Sequence, residues 1–146
     1  MLILFTLLPL PPALAQPAAP QDDYSGMYSF LKDGEFVQIT IEDQGAVSGF
    51  ISRFGDSESD KGSFLDQFFK SGTIEGQKLT FTTEPVHGVW FTFEGAFDRG
   101  PGKKPDEEGY YLIRGTLTRF RSEGGQEAAT QSRPVEFRSF PRDTSP

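Results

Sequence analysis

The residues of this 146-residue chain that are suited to chemistry are few, and most of them sit in turns. Asp56-Ser57-Glu58-Ser59-Asp60-Lys61-Gly62-Ser63-Phe64-Leu65-Asp66 offers side-chain oxygens at alternate positions, as a calcium loop does for a hard cation. Its glycine falls at the seventh place, its twelfth place is Gln67 instead of a bidentate glutamate, and no flanking helix is signalled. Asp56, Glu58 and Asp60 are therefore a weak calcium candidate, and a plain solvated loop is the preferred reading. His87 is the single histidine, which excludes a multi-histidine zinc site. A serine triad would need it as base, and no Gly-x-Ser-x-Gly elbow accompanies it, so a structural or surface role in a corner is expected. The acidic pairs Asp22-Asp23 and Glu107-Glu108 lie in flexible segments, where no catalytic carboxylate is held rigidly. The chain has no cysteine, hence no disulfide and no thiolate metal or redox site. No cofactor is expected, the catalytic set is empty, and the chain reads as a non-enzyme.

Two charged residues interrupt apolar strands. Glu94 and Arg114 oppose the best apolar rows and would form a cross-strand ion pair if their strands met in register. An exposed pair on the exterior is favoured over a ligand clamp. The aromatic side chains form the other candidate set. Trp90, Tyr110 and Tyr111 lie near strand ends, where amphipathic rings can rim a pocket, although core and corner packing is the commoner role of such rings. With Tyr28, Phe91 and Phe93 they make up the candidate ligand-binding residues.

These residues need elements to position them, and the elements are strands. Glu35 to Glu42 and Ala46 to Arg53 are β-branched, alternating segments joined through Asp43-Gln44-Gly45, which is a hairpin. Lys32-Asp33-Gly34 turns an earlier strand, Met27 to Leu31, into the first of them. After a polar excursion from Asp56 to Gly62, Ser63 to Gln67 is a candidate helical turn. Strands follow at Phe68 to Ile74, Lys78 to Thr83, Val89 to Phe97, Gly109 to Arg121 and Arg133 to Phe140. Glu75-Gly76-Gln77 and Glu84-Pro85-Val86-His87-Gly88 make corners, and Asp98 to Glu108 is an exposed loop. Val89, Phe91, Phe93 and Phe97 share one strand face, and Tyr111, Ile113, Gly115 and Leu117 share another.

Eight short antiparallel strands close into an all-β up-and-down barrel, with a two-sheet β-sandwich as the alternative. Glycines within strands, at 49, 72, 95 and 115, favour the barrel because closure needs sharp bends. The stretch Tyr24-Ser25-Gly26-Met27-Tyr28 resembles the Gly-x-Trp opening of lipocalin and avidin barrels, with Tyr28 in the tryptophan's place. The run from Phe91 to Gly100 followed by Tyr111 to Gly115 is similar to a late hairpin of avidin-like proteins. The resemblance implies that Tyr28 closes the barrel floor against a basic residue late in the chain, for which Arg138 is the candidate. It does not extend to biotin contacts, because avidins line that site with several tryptophans and Trp90 is the only one here.

Residues 1–15 carry no charged side chain and end in small residues, which reads as a secretory signal peptide cleaved after Ala15. Residues 16–24 form a flexible lead-in, 25–141 the single barrel domain and 142–146 a tail. The expected location is secreted or periplasmic. A net charge of −7 speaks against nucleic acid and against anionic lipid surfaces, and no stable membrane anchor is expected. The leading functional expectation is a non-catalytic binding module holding a small apolar ligand in an aromatic-lined barrel. The alternatives are an exported interaction or inhibitor protein using loops 54–67 and 98–108, which exposure of Phe64, Leu65 and Phe68 would favour, and a barrel cyclase or isomerase, which would need a buried polar group in the lumen. Oligomeric state is left open.

Overall fold

The computed structural model describes residues 23–143. The leader expected over 1–15, most of the lead-in and the last three residues lie outside that range.

Eight strands follow one another round a single antiparallel sheet in chain order. They are β1 (Gly26–Ser29), β2 (Phe36–Ile41), β3 (Val47–Phe54), β4 (Phe64–Glu75), β5 (Lys78–Thr83), β6 (Val89–Arg99), β7 (Tyr111–Glu123) and β8 (Gln126–Arg138). The sheet curls until its edges meet. Tyr28 bridges Ser139, and Phe140 N donates to Met27 O at 2.9 Å. Because β1 has four residues and β8 has thirteen, closure happens at one end only, giving a curled half-barrel whose seam is open toward the other end. Pro134 sits in β8 along that open edge, where its missing N–H leaves no ladder bond unmade.

The alternating pattern places one row of each strand inside. Val37, Ile39, Ile51, Leu79, Phe81, Phe91, Phe93, Phe97, Ile113, Leu117 and Phe137 are all buried. Phe69, Phe81, Phe93, Phe137, Phe30 and Phe91 form a continuous chain of ring contacts, with successive centroids 4.3–5.9 Å apart. The middle of the lumen is therefore filled with phenylalanine. Room for this comes from Gly95 and Gly115, register partners on β6 and β7, because the Phe93 ring occupies the space where their side chains would project.

Two segments differ from expectation. Ser63 to Gln67 is not a helical turn, since β4 begins at Phe64 and pairs with Phe54 on β3. The polar run after the Gly124-Gly125 turn is strand from Gln126 onward. Its outer part pairs with β7 as a hairpin that protrudes past the core, so neither face demands apolar residues and the period-2 signal vanishes.

Candidate functional site

Chain alternation places the turns after β1, β3, β5 and β7 at one end, called here the mouth, and the loop 100–110 at the other, called the floor. The two loops expected to act together, 54–67 and 98–108, are therefore at opposite ends.

The floor is closed. Tyr24 stacks on Phe97 at 4.3 Å and meets Tyr111 edge-on at 4.9 Å. Tyr28 is fully buried and its hydroxyl donates to Tyr24 O at 2.7 Å. Burial pushes the Tyr28 phenol far above its ordinary pKa, with a partial offset from the nearby Arg142 cation. The basic residue of the floor is thus Arg142, whose guanidinium also lies 5.4 Å from the Tyr111 ring. Arg138 instead faces outward to Glu136, because β8 alternation puts it opposite the inward Phe137.

The mouth is different in kind. Below it, Phe30 and Phe91 meet edge to face at 5.8 Å and cap the aromatic column. Above them is a polar network built on inward positions of β3, β4 and β7. Arg53 is only 3% exposed. Its Nε donates to Gln67 Oε1 at 2.8 Å, and its Nη1 donates to Asp56 Oδ2 at 2.9 Å. Gln67 is fully buried, and its Nε2 donates to the carbonyls of Glu84 and Val89 at 3.0 and 2.6 Å. Arg119 Nη2 reaches the same Asp56 Oδ2 at 2.8 Å. Partial burial pushes the Asp56 carboxyl up, but the Arg119 hydrogen bond and the charges of Arg53 and Arg119 outweigh it and hold the group below its ordinary value.

Glu35 closes the network on the β2 side. It is buried, and both its oxygens are occupied by backbone amides: Lys32 N on Oε1 at 2.8 Å and Phe54 N on Oε2 at 2.9 Å. A cavity of about 210 Å³ opens among these groups, lined by Phe30, Glu35, Arg53, Asp56, Phe91 and Arg119 among others. A larger depression of about 320 Å³ lies on the outer face of β4–β7, over Thr73, Thr80, Thr92 and Thr116. It holds no buried charge, and Thr73 and Thr80 hydrogen-bond to each other, so it reads as a furrow in an exposed sheet.

The loop from Gly55 to Ser63 arches over the mouth, tied by Gly55 N to Ser63 O at 3.0 Å. Its Asp60 accepts from Ser57 Oγ at 2.8 Å and sits 2.6 Å from His87 Nδ1. His87 and Gly88 both have positive φ and form the two-residue turn between Val86 and Val89, which aims the imidazole at Asp60. Asp56 and Asp60 are thus engaged with cationic or donor groups of this chain, and among the described residues no three acidic or histidine side chains gather as a metal would require.

The six aromatic candidates separate. Phe91 lines the mouth cavity and Phe93 lies deeper in the filled lumen. Tyr28 and Tyr111 belong to the floor. Tyr110 packs edge-on against Tyr111 at 4.7 Å, half-buried, with the Arg99 guanidinium 3.4 Å above its ring. Trp90 stacks on Phe120 on the outer face. Glu94 and Arg114 are not directly opposite: Glu94 faces Thr116, pairing with Lys78 at 3.3 Å, and Arg114 pairs with Glu136 at 2.9 Å. Sequence reasoning missed Glu35, Arg53, Gln67 and Arg119. The available signal was parity, since Arg53, Gln67 and Arg119 continue the inward rows of their strands and Glu35 immediately precedes that of β2.

No protein-family model matches this chain, and no curated protein matches it in sequence. Solved structures do match. Rhizavidin is 13% identical, with a TM-score of 0.61 over 84% of this chain and 86% of that chain. The rhizavidin–biotin complex is 13% identical, with a TM-score of 0.58 over 79% of this chain and 98% of that one. Apo shwanavidin is 15% identical, with a TM-score of 0.57 over 83% and 99%. The fold of this chain is that of the avidin-like barrels.

Proposed function

We propose that the protein is an exported, non-catalytic binding module that takes a small organic molecule into the open mouth of its barrel. The observation that carries this reading is the cavity in which a buried guanidinium, Arg53, stands over the Phe30–Phe91 cap. An apolar floor with a few fixed polar groups above it is the usual composition of a ligand site. The avidin-like fold adds support, since one of the matched barrels is a biotin complex. The ligand here is read from this mouth and not from that neighbour, because the single tryptophan is on the outer face. Export is supported by the leader-like residues 1–15.

The cyclase or isomerase alternative needs a buried polar group in the lumen, which Glu35, Arg53 and Gln67 supply at the mouth, and turnover asks in addition for an acid or base free to exchange a proton. Glu35 is buried in the mouth, but both its oxygens already accept backbone amides. That commitment favours binding over turnover. Amide-proton NMR of the mature protein against a fragment library tests the reading. Shifts concentrated at residues 30–35, 53–56, 91 and 119 are expected, and a library that perturbs only the outer face, or nothing, refutes it.

One observation favours a second reading, an interaction module. Phe64 and Phe68 are 50% and 58% exposed on the outer side of β4, and Phe68 continues through Phe50 to Phe36 in ring contacts of 5.4 and 5.9 Å. Two exposed aromatics on one strand face, one of them continued by half-buried rings, suit a protein partner. If that is their role, Phe64→Ser with Phe68→Ser leaves mouth shifts intact while abolishing capture of the partner.

A further inference from the structure

We propose that the mouth is a carboxylate site held shut by the protein's own Asp56, and that the ligand is a small aromatic or aliphatic carboxylic acid whose carboxylate takes the place of the Asp56 side chain between Arg53 and Arg119. The inference deepens the mouth-binding reading above and rests on it.

Two guanidinium groups from strands β3 and β7 converge on one oxygen, Asp56 Oδ2, at 2.9 and 2.8 Å. Convergent arginines are the arrangement proteins use to recognise carboxylates. Arg53 does not depend on Asp56 for its position, because Gln67 fixes Nε from below and Gln67 is itself anchored on two carbonyls. The Arg53 half of the clamp therefore persists when Asp56 leaves, and Arg119 stays at the rim on β7. Asp56 is the movable member: it lies in the loop just beyond β3 and its side chain is 39% exposed, against 4% for Arg53.

Two other charged residues line the cavity, Lys32 and Glu35, of opposite sign, and the carboxylate of Glu35 does not occupy the clamp. Glu35 spends both oxygens on backbone amides, so it stays in place as a fixed negative wall. With Asp56 turned out to solvent, Arg53 and Arg119 face the cavity without a carboxylate between them, and burial of Arg53 makes an unpaired state costly. An incoming carboxylate restores the pairing. Its apolar body then lies on the Phe30 and Phe91 rings, 5.8 Å apart at the cavity base, with the Arg53 guanidinium already 5.4 Å from the Phe91 ring centre. A cavity of about 210 Å³ limits the occupant to a small molecule. Wild-type affinity is the outcome of a competition between two carboxylates for one clamp, one of them tethered.

The test uses phenylacetate and its neutral analogue phenylacetamide, titrated calorimetrically into the mature protein and into Asp56→Asn and Arg119→Gln variants, with thermal melts confirming folding. Asp56→Asn is expected to tighten phenylacetate by about tenfold and leave phenylacetamide unchanged, and Arg119→Gln to weaken phenylacetate by about tenfold. If both probes bind the wild type equally and neither variant separates them, the mouth reading stands and the carboxylate clamp is overturned. If neither probe binds the wild type or Asp56→Asn, the clamp is likewise overturned, and the fragment experiment then decides the mouth reading by itself.

Discussion

Arg53 Nε and Gln67 Oε1 meet at 2.8 Å in the interior, on neighbouring strands, where an all-apolar barrel would hold two aliphatic side chains. The pair supports the mouth because it connects a buried cation to the carbonyls of Glu84 and Val89 through one amide.

Replacing Gln67 by Leu strands the Arg53 Nε and the Glu84 carbonyl at once, while Val89 O keeps the Val86 amide. A loss of about 2–4 kcal/mol is expected, since each orphaned buried group keeps its desolvation cost and one of them is charged. Urea denaturation checks it. The Arg53→Met, Gln67→Leu double variant is expected to lose less than the sum of the single changes.

Gly95→Ala tests the close packing inside the barrel. A methyl group there meets Arg114 O, the Phe93 ring and Gly115 Cα, the last at 2.7 Å. Overpacking of this kind costs about 1–3 kcal/mol or more. Adding Phe93→Leu removes the ring contact but not the backbone ones, so calorimetric melting of the double variant is expected to recover only part of the loss.

The carboxyl of Asp56 is held below its ordinary value in the folded state. Its unfolded form therefore binds protons first as pH falls, so its contribution to stability is present above the ordinary carboxylate pKa and disappears as pH drops through the lower folded value. Asp60, bonded by Ser57 and His87, and Glu136, bonded by Arg114, shift in the same direction. Stability measured from pH 6 to 2 should decline on this acid limb. In Asp56→Asn the decline is shallower, and an identical slope would contradict the Arg53–Asp56–Arg119 contact.

Tyr28 carries the opposite limb. Burial raises its phenol, so the folded state keeps its proton when the unfolded state gives it up, and stability falls as pH rises beyond about 10, the ordinary tyrosine value. Absorbance of tyrosinate during an alkaline titration should include a Tyr28 component that appears only with unfolding. Tyr28→Phe removes that late component.

Several features were legible in the order of residues alone. Alternation from Phe36 to Phe54 and from Val89 to Phe97 reports which side chains go inward, because a pleated strand has a period of two whatever surrounds it. Glycine turns at 34 and 88 mark hairpins since only certain backbones enter positive φ. Those local rules were sufficient for eight strands, whereas the closed floor at Tyr28 was implied by the resemblance to lipocalin and avidin barrels.

The mouth was not legible, and the reason is physical. Arg53 and Arg119 are 66 residues apart in numbering and share Asp56 only because strand register brings the upper ends of β3 and β7 to the same rim. Likewise Trp90 and Phe91 are adjacent in the chain but lie on opposite sides of the wall, one stacked outside on Phe120 and the other beneath the cavity. The floor partner was missed for a related reason: Arg138 and Arg142 are equivalent as basic residues, and only the path of the chain after β8 places Arg142 beside Tyr28. Local sequence determined the strands, the turns and the parity of each side chain, since these depend on backbone geometry and solvent contrast along a few residues. The tertiary structure decided which inward polar groups meet, because that depends on closure of the sheet, which sums register over all eight strands.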